Sequence, residues 1–205
     1  FPNSLYRKVH SYQHYYMPFL YLLYTLHWFF IRDFKDFKGG SITGKSIENY
    51  GQEFTILIFT KTICLIYLVA LPMWLTSLPY YYPLLGFILM HFAASITVTF
   101  ALVSAHVGEE SVYPEPNEAG KMPHSWFIHQ IKTTTDFSTK SSIVTHLFGG
   151  FNHHVIHHLF PNICHIHYPH LTPIIARTCA EFGYTYQYND NLLSALKSHY
   201  FLLKK

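Results

Sequence analysis

The run LLGFILMHFAASITVTFALVSA, Leu84–Ala105, decides the fold. It carries no charged residue, and it exceeds the roughly 20 apolar residues an α-helix needs to cross a bilayer. Its small residues Ala93, Ala94 and Ser95 allow close approach of a neighbouring helix. Just before it, SLPYYYP at Ser77–Pro83 is a tight aromatic turn, with tyrosines where an interfacial belt would put them. Further back, Phe54–Leu75 reads as a second span. Lys61 interrupts it near its start, where a lysine snorkels to the headgroups, and Pro72 and Pro79 mark its end. The two spans make a transmembrane hairpin. By parity, the segments before Phe54 and after Ala105 then lie on one side of the bilayer.

Outward from the hairpin, PFLYLLYTLHWFFI at Pro18–Ile31 is apolar but too short to span. Its sequel RDFKDFK alternates aromatics with charges, which predicts a helix lying in the interface plane. Gly39–Gln52 is a polar loop. Beyond Ala105 nothing is apolar for long enough to cross again. Gly108–Lys121 reads as an acidic, proline-containing loop. Ser125–Lys140 reads as an amphipathic helix with Trp126, Phe127 and Ile131 on its apolar side. Thr145–Phe160 is a second helix, and Pro173–Phe182 a third that Gly183 stops. Leu192–Lys205 is an amphipathic tail. The expected architecture is an all-α membrane protein: spans at about 54–75 and 84–105, an interfacial helix, and a cytosolic helical cap over 106–205. Composition agrees, with 50% hydrophobic and only 12% charged residues, against about 25% charged in a typical soluble domain. The net charge of +3, without a basic run interleaved with stacking aromatics, argues against a nucleic-acid partner. Cys64, Cys164 and Cys179 have no CxxC spacing, so neither a disulfide framework nor a thiolate site is indicated. No GxSxG or phosphate-binding glycine loop occurs.

Histidine is the outlier. Of sixteen, seven fall between His153 and His170, in a cluster too interrupted and too internal to be a tag. At about 100° per residue, His154, His157 and His158 share one helix face within an arc of about 100°. Neutral imidazoles gathered in this way can converge on a metal. His153 forms its own i, i+4 pair with His157, and periodicity leaves that set open too. His106 stands at the exit of a span, on the same side as the cluster. His165, His167 and His170 are candidates for orienting the ligands through hydrogen bonds. His91, in mid-span, reads as a helix-to-helix hydrogen bonder. Glu109 and Glu110 read as a solvated loop.

The stretch GGFNHHVIHHLFPNICHIHYP, Gly149–Pro169, resembles the third histidine box of membrane fatty-acid desaturases, most closely the acyl-CoA and acyl-lipid branch related to front-end (Δ5/Δ6-type) enzymes. SAHVGEE at Ser104–Glu110 and HSYQHYYMPFLY at His10–Tyr21 resemble other segments of that branch. The resemblance covers essentially the whole chain, which reads as the C-terminal part of a single desaturase domain over 1–205. It implies a di-iron centre on the cytosolic face, with His106, His154, His157 and His158 as metal ligands and no catalytic residue beyond them. It demotes His153. It also implies a fatty acyl-CoA or acyl-lipid substrate in membrane lipid, O2, and an electron donor of the cytochrome b5 or ferredoxin kind. An unactivated methylene C–H has no useful acidity, so the implied chemistry is oxidative rather than acid–base. Two departures stand out. Front-end enzymes usually carry Gln where this chain has His154. The family's first two histidine boxes have no counterpart here, His10 and His14 included, so the chain alone is not expected to complete a two-iron site. A hydroxylase of the same superfamily would share these ligands. A membrane metal transporter fits less well, because its ligands belong near the bilayer midplane and only His91 lies there.

Overall fold

The computed structural model describes residues 5–42 and 45–205. The chain is mostly helical and divides into two compact units. One is Pro18–Ile96. The other joins the N-terminal stretch up to Met17 with Thr97–Lys205.

The Pro18–Ile96 unit begins inside α1 (Gln13–Leu22) and continues through α2 (Tyr24–His27), a wider π turn at Trp28–Arg32, and α3 (Asp33–Lys38). The expected interfacial helix is therefore part of a longer helical run, and Pro18 is carried inside α1. A short antiparallel pair, β1 (Ser41–Ile42) with β2 (Lys45–Ser46), occupies the expected loop. The first long apolar helix is α4 (Tyr50–Leu65), a π turn at Ile66–Ala70, and α5 (Leu71–Leu75). It starts a turn before the apolar stretch, because Tyr50, Gly51, Gln52 and Glu53 supply a polar first turn. Pro72 does not end it. The π turn resets the hydrogen-bond ladder, so that Pro72 falls in the opening turn of α5, where its missing N–H leaves no gap. The second long helix is α6 (Tyr81–His106). Both are long and apolar enough to cross a membrane. Side chains such as Phe59, Tyr67 and Trp74 stand uncovered along the first, more apolar surface than a water-soluble fold leaves bare.

Lys61 and His91 find polar partners on neighbouring helices of this unit. Lys61 does not snorkel. It is buried, and its Nζ donates to the Phe29 carbonyl at 2.5 Å and to Asp33 Oδ2 at 2.7 Å, with the Phe29 ring 4.1 Å away. Turning inward costs less than leaving Asp33 without its partner in an apolar setting. His91 bonds across helices as expected: its Nδ1 lies 2.9 Å from Thr25 Oγ1, which is also 2.8 Å from Ser95 Oγ.

The other unit is built around short helices. Its elements are α7 (Trp126–Thr133), β3 (Asp136–Phe137), α8 (Ser142–Leu147), α9 (His154–Leu159), α10 (Tyr168–Glu181), β4 (Tyr188–Asn189) and α11 (Leu192–Lys204). One apolar core gathers Ile131 of α7, Val155, Ile156 and Leu159 of α9, and Tyr168, Ile175 and Cys179 of α10. A second gathers Ala101 and Ala105 of α6 with Phe137, Phe148 and Ala195. β3 and β4 pair in parallel, Asp136 opposite Tyr188.

Two expected helices are shorter than their patterns. α7 stops at Thr133 because Thr133-Thr134-Thr135 is a β-branched run that favours extended backbone. Of its expected apolar side, Ile131 is buried, whereas Trp126 and Phe127 are exposed. The helix expected over Thr145–Phe160 is broken by Gly149 and Gly150, with φ of 56° and 81°. A side chain at Gly150 would meet His165 Cβ at 2.8 Å, so only glycine fits there. α10 opens earlier than expected, at Tyr168, with Pro169 in its first turn.

Candidate metal centre

The break at Gly149–Gly150 decides what each histidine of the box does. α9 starts afresh at His154, and His153 occupies the position before it, with φ −97° and ψ 57°. Its ring therefore leaves the helix face. It is buried, its Nδ1–H donates to Thr172 Oγ1 at 2.7 Å, and its Nε2 lies 3.3 Å from Thr145 Oγ1. Burial pushes its pKa down to about 4. His153 is thus a packed polar residue that ties α8 and α10 to the start of α9.

His154 and His158, one turn apart on α9, meet His106 at the end of α6. The Nε2 atoms of His154 and His106 are 2.7 Å apart, and those of His158 and His154 are 3.1 Å apart. The three side chains each offer a ligand atom, and these lie within 4.8 Å of one another. His157 is not in this group. Its ring lies tilted against Phe151, centroids 4.7 Å apart, and its centroid is 5.4 Å from that of His154 and 5.7 Å from that of His158.

The opposite nitrogens explain the orientation. His106 Nδ1–H donates to the Thr133 carbonyl at 3.3 Å, one of the unpaired carbonyls at the C-terminus of α7. His154 Nδ1–H donates to the Phe151 carbonyl at 3.3 Å. His158 Nδ1–H donates to Gln130 Oε1 at 2.9 Å. With every Nδ1 proton committed, each Nε2 presents a lone pair, and the three lone pairs face one another. In that arrangement the three ligand atoms lie close enough together to hold a cation. The rings stay neutral: burial, and then the neighbouring imidazoles, push His154 down to about 2 and His158 to about 4. Burial also lowers His157. Neutral imidazoles anchored through the second nitrogen are the donor set of a transition-metal site, and iron is within its range.

α9 is held by a residue distant in sequence. Asp136 is fully buried, and its Oδ1 accepts from the Val155 N–H at 2.8 Å, pairing an otherwise free donor of the first turn. Its Oδ2 accepts from Tyr186 O–H at 2.5 Å. Burial pushes the carboxyl up to about 7, against hydrogen bonds from Tyr186, Val155 and His154 that hold it lower.

The residues that anchor the box, Thr133, Phe151, Gln130 and Asp136, are not histidines. His165, His167 and His170 are exposed. The only sequence signal for the others is the Asx-type residue Asp136 ahead of the GG turn, and it lies too far from α9 to be read as its cap. Two further histidines donate to backbone carbonyls: His146 Nδ1–H to Ser142 O at 2.7 Å, and His199 Nδ1–H to Val107 O, 92 residues away, at 2.7 Å. Glu109 pairs with Lys205 at 2.8 Å.

Two membrane-length helices and a cluster of three converging histidines that could hold a metal ion mark the chain. Residues 2–189 match the fatty acid desaturase family, and the chain belongs to that family. It is similar to an acyl-lipid (8-3)-desaturase of Physcomitrium patens, at 36% identity over 202 residues, 96% of this chain and 41% of the relative. It is similar to an sn-1 linoleoyl-lipid 6-desaturase of Arthrospira platensis, at 31% identity over all of this chain and 55% of the relative. It is also similar to Delta(5) fatty acid desaturase A of Dictyostelium discoideum, at 33% over 93% of this chain and 42% of the relative. The chain thus spans about half the length of the curated relatives it matches. No solved structure matches it significantly.

Proposed function

We propose that the chain forms the C-terminal part of an O2-dependent fatty acyl desaturase domain, inserting a double bond into an acyl chain at a di-iron centre. The convergence of three neutral Nε2 lone pairs, each fixed by an acceptor at Nδ1, carries this reading. His106, His154 and His158 would hold iron, and His157, one ring further out against Phe151, would be a further ligand, the rest of a two-iron set coming from the family's other histidine boxes. When bound, the irons supply the oxidising power drawn from O2. Two hydrogens leave the acyl chain, and with two electrons and two protons from outside they reduce one O2 to two waters. The protein's own part is to keep these imidazoles neutral, aim them, and exclude water by burying His154 at the start of α9. The relatives' names, acyl-lipid desaturases among them, favour an acyl-lipid over an acyl-CoA. Cytochrome b5 or a ferredoxin delivers the electrons.

α4–α5 and α6 form a transmembrane hairpin, in keeping with their length and uncovered apolar surface. Residues 106–205 form a cap on the cytosolic face, and the spans and the helix over Pro18–Ile31 wall the acyl channel. The test is to express the full-length protein with its reductase, profile the fatty acids by mass spectrometry, and repeat with His158→Ala. New alkenes with the parent and none with the variant are expected. An alcohol in place of the alkene would assign the chain to a hydroxylase, and unchanged alkene from the variant would refute the ligand set.

A further inference from the structure

We infer that Gln130 is a positioning residue that fixes the tautomer of His158 and so sets the donor strength of the cluster. The inference rests on the metal-centre reading above and deepens it. Two of the three tautomer locks are backbone carbonyls, at Thr133 and Phe151. They persist whatever side chains those positions carry. The third is the Gln130 carboxamide, 2.9 Å from His158 Nδ1. An imidazole without an acceptor at Nδ1 prefers its proton on Nε2, which removes the lone pair the metal needs. Gln130 prevents that.

The placement is built into α7. Gln130 and Thr133 are three residues apart and share a helix face. One helix therefore locks both His158 and His106, ligands that come from different elements. Another face of α7, with Phe127, Ile128 and Ile131, lines an apolar cavity of about 400 Å³ against Ile175 and Cys179 of α10. Ile131 is buried in the core with α9, which holds the helix in register. Lys132, two residues on, is engaged elsewhere: its Nζ lies 3.0 Å from His124 Nε2. The neutral amide also tempers the site. A carboxylate in its place would draw the His158 proton toward itself and make the ring a stronger donor.

The test titrates Co(II) into the intact membrane protein in detergent and follows the visible d–d absorption. Gln130→Met keeps length and bulk but loses the acceptor, whereas Gln130→Glu keeps an acceptor and adds charge. Gln130→Met is expected to weaken Co(II) binding by about 10- to 100-fold. Gln130→Glu is expected to bind at least as tightly as the parent, with a shifted band. Parent-like affinity and spectrum in Gln130→Met would overturn the inference. So would weakening in Gln130→Glu, or an unshifted band there, and that arm decides if the Met variant does not fold. His158→Ala separates the two levels. If it loses Co(II) while Gln130→Met does not, only the role of Gln130 fails. If it binds like the parent, the metal-centre reading fails and takes this inference with it.

Discussion

The chain places buried histidine and lysine in two regions, and it treats them differently. In the Pro18–Ile96 unit, Lys61 closes on Asp33 and Phe29, and His91 on Thr25. There the side chains reach across to other helices, although His91 Nε2 stays without a hydrogen-bond partner among the described residues. In the other unit, His106, His154 and His158 turn their donors outward to Thr133, Phe151 and Gln130 and their acceptors toward one another. The first pattern holds helices together; the second gathers ligand atoms that could hold a cation. What distinguishes a site from a scaffold here is the direction of the lone pairs, since both regions bury histidine among aromatic rings.

Substitutions can break this contrast, and the largest effect should come from the ligands. His154→Ala or His158→Ala in the full-length protein should reduce bound iron and desaturated product to background, read by metal analysis and lipid profiling. His91→Ala should leave iron in place. Equal iron loss from all three would erase the distinction. Next comes Asp136→Ala, which strands the buried Val155 N–H and Tyr186 O–H. At about 1–3 kcal/mol per unpaired buried group, the loss should be about 4 kcal/mol. Thermal unfolding in detergent measures it, and Asp136→Asn, which keeps an acceptor for Val155, should recover part.

In the helical run and its partner, Lys61→Met should cost about 2 kcal/mol, because Asp33 is left without its cation but remains partly exposed. Combining it with Asp33→Asn should recover much of that, and a double-mutant cycle checks the coupling. The smallest effect is Thr25→Val, which removes hydrogen bonds to His91 and Ser95. Interhelical bonds in a membrane average about 0.6 kcal/mol. A loss several times larger would mean that this cluster does more than join helices.

Much of this contrast was legible in the residues. Leu84–Ala105 announces its helix by length and hydropathy. His154, His157 and His158 announce a shared face by spacing, and topology places His106 on their side. The structure brings His106, His154 and His158 together, while the His157 ring lies against Phe151. The role of His153 was not legible from periodicity, because that reading assumed a helix unbroken from Thr145. The Gly149-Gly150 pair is a turn signal that could have divided it. Gln130 and Asp136 were out of reach for a different reason. Each acts on a partner 28 or 19 residues away, and local pattern says nothing about such pairings. Lys61 was misplaced because snorkelling assumes water within reach, whereas Asp33, on a separate helix, supplied the nearer partner.

The glycine turn has a consequence for how this stretch tolerates insertions and deletions. Because α9 begins anew after Gly150 and is anchored by Asp136, its rotational phase is not carried over from α8 through a continuous helix; side-chain and turn bonds from Thr145 link α8 to the residues leading into α9. Adding or removing one residue within Ser142–Leu147 would shift α8 without turning the histidine face. The same change within Leu84–Ala105 would swing His106 by about 100°, since nothing between Tyr81 and His106 resets the helix. Length variation among relatives should therefore collect on one side of the box and be purged from the other.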